Sequence, residues 1–97
     1  MGTVHITYRS LVSLNGSALA SRQPRTAATI TSSGISQATS ITALQGEAAI
    51  ITATTAVFVA VGASPTAASG AGDLVPAGGI VTLAGLLALD KVAVIDA

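Results

Sequence analysis

The chain has no cysteine and no tryptophan, a single histidine, tyrosine and phenylalanine, and only four basic and four acidic residues among its 97. Without cysteine there is no disulfide framework, no thiolate chemistry and no cysteine metal site, and the compartment stays open. Charged residues make up 8% of the chain, against about 25% for an ordinary soluble domain. Arg9, Arg22, Arg25 and Lys91 balance Glu47, Asp73, Asp90 and Asp96, for a net charge of zero. Nucleic-acid binding needs a basic stripe to neutralise phosphates, and none is present. What is abundant is Ala, Ser, Thr, Gly, Val, Ile and Leu, with hydrophobic residues at 51%. A free monomer is normally kept apart from its neighbours by a charged coat. The expectation is therefore a protein that lives packed against other subunits, rather than a free-standing β-domain covered by Thr and Ser.

Catalytic signatures are missing as well. His5 is the only histidine, and one His with scattered acids does not make a metal site. Asp90 and Asp96 sit at the two ends of one expected strand, about 20 Å apart at about 3.3 Å per residue. Paired-carboxylate catalysis uses separations of about 5–10 Å. Glu47 and Asp73 have no assignable partner. No serine lies in a nucleophile elbow. "GASPTAASG" and "GAGDLVPAGG" lack the Lys-Ser/Thr ending of a phosphate loop. No enzyme and no cofactor are expected. A carbohydrate-binding module would want exposed aromatics, and Tyr8 and Phe58 both fall among apolar neighbours. The N-terminal "MGTVHITYRS" has neither the basic nor the apolar region of a signal peptide, and Ile6 stands where myristoylation expects Ser or Thr. The expectation is synthesis in a cytoplasm without processing.

An uncharged run from Ala48 to Gly72 is 25 residues long, enough to cross a bilayer. Its continuous apolar part, Ala48–Val61, is about 14 residues, short of the roughly 20 a helix needs to span. Thr52, Thr54 and Thr55 fall in its middle, and its β-branched content favours strand. One long strand, or two split near Thr54-Thr55, is expected. A membrane-inserted helix is the minority alternative. Elsewhere, Thr3–Leu14 alternates: Val4, Ile6, Tyr8, Val12 and Leu14 share one face, and His5, Thr7 and Arg9 the other. Asn15-Gly16 signals a turn. Gly16–Thr26 is polar, is broken by Pro24, and reads as a loop or extended arm. Ala27–Ser32, Ile35–Leu44, Gly79–Leu83 and Lys91–Asp96 read as further strand material, with "AGLLALD" a bend or short helical turn. The sum is a single all-β domain over residues 1–97, a small sandwich or barrel of about six to seven short antiparallel strands.

The C-terminal part carries a resemblance. "TAVFVAVGASPTAAS", followed by "LVPAGG" and closed by "LDKVAVIDA", resembles a pattern of small structural proteins of tailed bacteriophages. There a Val-alternating strand leads to Ser-Pro-Thr-Ala, then to a Pro-Ala-Gly turn and a final Ala-Val-Ile strand. "SSGISQATSITALQGEAAIITAT" is similar to their earlier hairpin. The likeness covers Ile30–Ala97, departs at Leu89, where a Gly is usual, and does not extend before Arg25. It implies a non-enzymatic virion component: a capsid decoration (cement) protein on the shell exterior, bound to the major capsid protein, with a homotrimer the expected oligomer. The alternative within the same class is a neck, tail or fibre-attachment protein. In the decoration reading the arm, through Arg22, Pro24 and Arg25, is the candidate contact to a neighbouring capsid subunit. Nucleic acid and membrane are not expected partners.

Overall fold

The computed structural model describes residues 2–14, 18–21 and 24–97, with 11–14 and 18–21 described by their backbone alone. The described residues contain ten strands and no helix. They are β1 (Thr3–Arg9), β2 (Leu11–Leu14), β3 (Ala18–Ser21), β4 (Thr26–Thr31), β5 (Gln37–Ala38), β6 (Ala48–Ala53), β7 (Val57–Gly62), β8 (Asp73–Val75), β9 (Ile80–Leu83) and β10 (Lys91–Asp96). Sheet 1 runs β4-β1-β6-β9 and sheet 2 runs β5-β10-β7-β8, while β2 and β3 form a separate hairpin. Every pairing is antiparallel.

The side-chain period of two explains the architecture. In β1, Val4, Ile6 and Tyr8 are fully buried while His5 is exposed. In β6 and β7 the odd positions Ile51, Ala53, Val57 and Val59 go inward. With Val75, Val92 and Val94 they form one cluster that draws on both sheets. The result is a small β-sandwich, with each sheet contributing its apolar face. The 25-residue uncharged run is thus two strands and a loop. The split falls at the Thr54-Thr55 bend, where Thr54 Oγ1 accepts the amide of Thr3 at 2.8 Å. No helix among the described residues is long and apolar enough to cross a membrane.

The sheets are tied together at one end. Ser32, fully buried, donates to the Asp96 carboxylate at 2.5 Å and accepts the Gly2 amide at 2.9 Å. That joins the entry to β1 with the end of β10. The Ser32 hydroxyl holds the Asp96 carboxyl below its usual range. Gly2 has no room for a side chain, since a Cβ there would collide with Thr55 Oγ1.

Several expectations change. Thr3–Leu14 is not one strand: it breaks at Ser10, the one polar residue in its apolar parity. β1 stays in sheet 1 between β4 and β6, and β2 leaves with the hairpin. Gly16–Thr26 is not all loop, because "ALAS" forms β3 in register with "LVSL". Among the described residues of this stretch, Pro24 and Arg25 lie outside any strand; a residue without an amide cannot donate to a ladder. The Asn15-Gly16 turn lies outside the described residues. Ile35–Leu44 holds only the two-residue β5. Conversely Asp73–Val75, outside the expected strand material, pairs with β7.

Candidate functional site

The residues proposed to contact a partner begin with Arg22, which lies outside the described residues. Pro24 is exposed. Arg25 is engaged within the chain: its Nε donates to Glu47 Oε2 at 2.8 Å and its Nη2 to Glu47 Oε1 at 2.9 Å. The same Nη2 donates to the Thr42 carbonyl at 2.8 Å. Glu47 is nearly inaccessible, with its side chain 4% exposed. It also accepts the Leu44 amide at 2.8 Å. A bidentate fork matched to a carboxylate is the strong form of this pair. The Arg25 guanidinium holds the Glu47 carboxyl below the usual carboxylate range, against burial, which pushes it up. The Arg25 amide donates to the Tyr8 carbonyl at 2.8 Å. The chain re-entering from the arm is therefore pinned to β1 by backbone and to the loop before β6 by side chain.

Tyr8, expected to pack rather than to work beside His5, lies in the core. Its hydroxyl reaches Thr39 Oγ1 at 3.4 Å and the carbonyls of Ile41 and Asp90 at 3.5 Å. These are long contacts, and burial pushes the phenol's pKa up. His5 faces Thr29 across the ladder, with Nδ1 3.1 Å from its Oγ1. Arg9 donates to Thr7 Oγ1 at 3.3 Å. The shared face of His5, Thr7 and Arg9 becomes two ordinary polar pairs.

Two open grooves mark the surface. The first, about 520 Å³, has Val59, Val61, Leu83 and Leu86 among its walls and both Asp73 and Asp90 on its lining. Sequence spacing gave no reason to join these two acids. The fold does so by pairing β8 with β7 and packing the 84–90 bend beside them. Asp90 serves a turn there: its Oδ2 accepts the Leu87 amide at 2.9 Å, and its amide donates to the Leu87 carbonyl at 3.1 Å. Among the described residues no group of three or more metal-ligating side chains assembles. The second groove, about 570 Å³, is lined by Ala28–Ser33 and Gln37–Ser40, with no charged residue. Large hydrophobic side chains stand in solvent: Ile35, Leu44, Leu74, Ile80, Leu87 and Leu89 are 48–75% exposed. Leu44 and Leu89 lie on loops that touch, since the Leu89 amide donates to the Ala43 carbonyl at 2.9 Å.

Compared with known protein families, curated proteins and solved structures, the chain has no significant match.

Proposed function

We propose that the chain is a non-enzymatic structural protein of a tailed-bacteriophage virion, specifically a decoration protein that binds the outer shell and stabilises its lattice. The observation that carries this reading is the combination of an all-β body with a surface poor in charge and rich in exposed aliphatic side chains. Of the eight charges, the Arg25–Glu47 pair is already satisfied within the fold. Such a surface meets another without desolvating ions, a cost that offsets much of the gain in charged interfaces. A standard interface of about 1,600 Å² has a large gross apolar term at about 25 cal/mol per Å². Association entropy and side-chain ordering cancel most of it. Modest affinity per copy is enough when many copies bridge neighbouring capsid subunits. The sequence resemblance over Ile30–Ala97 supplies the virion context.

The test is to titrate purified protein onto empty shells and count bound copies by co-sedimentation. Saturation at many copies per shell, with a higher shell disruption temperature, is expected. Binding of a few copies at a single vertex or to tails would move the assignment to the neck, tail or fibre reading. No binding to either would overturn the virion assignment.

A further inference from the structure

Sheet 1 ends at β4 and sheet 2 ends at β5, and residues of both strands line the second groove. Natural proteins blunt sheet edges with Lys, Pro, bulges or a covering segment. From Thr26 to Gly46 this chain has no charged residue and no proline. β4 pairs with β1 through all six of its residues, and no other described strand pairs with it. Its outward amides and carbonyls form a template about 20 Å long, at about 3.3 Å per residue.

A second element lies outside both sheets. The β2–β3 hairpin forms a ladder with neither sheet. Its register places Val12, Leu14, Ala18 and Ala20 on one face, and no charge occurs from Ser10 to Ser21. A two-stranded hairpin alone in water is marginal at best.

We infer that the hairpin of one copy docks in the β4/β5 groove of a second copy and extends its sheet 1 by pairing along β4. This is strand addition, in which main-chain hydrogen bonds give the affinity. Both partners are neutral, so docking strips water from no ion. The contact joins two different surfaces. It therefore closes into a ring if the rotation allows and otherwise continues from copy to copy. The inference deepens the proposed assembly role by naming how copies of the chain hold one another. It is read in solution with no shell present, so its failure and the failure of shell binding are separate results.

The absence of cysteine makes the test clean. Ser13→Cys places a thiol on β2, and Ala27→Cys places one at an exposed position of β4. Mixed under oxidising conditions, the two variants are expected to form a mixed disulfide dimer in preference to either self-pair. In parallel, Ala27→Lys with Thr31→Lys puts charge on two exposed positions of the edge. This pair is expected to weaken self-association at least about tenfold, or about 1.4 kcal/mol, in sedimentation velocity, with an unchanged circular dichroism spectrum. Preferential self-pairing of Ala27→Cys would show a β4–β4 contact and overturn the hairpin assignment. A monomeric wild-type protein, or an oligomer indifferent to the lysines, would overturn it too.

Discussion

Leu89 is the one non-glycine residue with positive φ among the described residues, at 70°. It occupies the third position of the turn Leu87–Asp90, closed by the Asp90 amide on the Leu87 carbonyl. A positive φ there is the mark of a type II turn, which selects Gly or Asn. Leucine in this region carries a cost of about 1–2 kcal/mol, and its side chain, 67% exposed, recovers little by burial. Leu89→Gly is expected to stabilise the fold by about 0.5–1 kcal/mol, the relief being partly offset by the greater freedom of glycine in the unfolded chain. Thermal or urea unfolding reads this directly, and a destabilised variant would mean that Leu89 makes a contact the turn needs. At Glu47, the folded-state pKa is depressed. Its contribution is therefore present above the ordinary Glu value of about 4.3 and is lost as pH falls through the lower folded value. Stability is expected to hold from neutral pH to about 5 and to decline below about 4. Glu47→Gln is expected to cost about 1–3 kcal/mol at neutral pH through its weakened hydrogen bonds to Arg25, and to flatten that acid decline. Urea midpoints measured from pH 3 to 7 on both proteins check the pair of statements.

Among the elements, alternation was readable wherever one face of a strand meets the core. The even positions of β1 and the inward odd positions of β6 and β7 follow from period two; the break at Thr54-Thr55 was one of two expected arrangements, and Lys91–Asp96 was readable as a strand although Val92, Ala93 and Val94 are all buried. The places that were not readable share a different cause. β2 and β3 are short, apolar and paired with each other, so nothing in "ALAS" itself announces a strand until its register with "LVSL" is known. Ile35–Leu44 alternates, yet most of it crosses from one sheet to the other and is held by side-chain bonds, such as Thr39 Oγ1 donating to the Ile41 carbonyl at 3.0 Å. Local pattern does not encode such crossings. The Arg25–Glu47 clamp spans 22 residues and was equally hidden: spacing gave Glu47 no partner, and Arg25 was assigned outward. Asp73 and Asp90 meet at one groove only because β8 joins β7, a pairing of three residues with no signal of its own.

At the scale of the whole molecule, the scarcity of charge makes a prediction about association. Exposed ion pairs lose strength as salt shortens the Debye length from about 10 Å at 0.1 M to about 3 Å at 1 M. Contacts between neutral, apolar-rich surfaces do not. Self-association, and binding to shells, are expected to change less than about twofold between 0.1 and 0.5 M salt. Sedimentation at the two concentrations checks this, and a steep loss would point to charged residues such as Arg22, Lys91 or Asp73 as the contacts.

The strand order also dictates when this fold can form. β10, the last of the ten strands, is an inner strand of sheet 2, between β5 and β7. It supplies fully buried Val92 and Val94 to the core. A nascent chain can pair β1 with β4 and β6 and build sheet 1, but one face of that sheet stays wet until residues 91–96 arrive. Most contacts are long-range, which slows folding. A fragment ending at Asp90 is expected to lack cooperative unfolding and to bind a hydrophobic dye, whereas residues 1–97 are expected to unfold cooperatively and to bind the dye far less. The sandwich thus stays open until residues 91–96 take their place between β5 and β7.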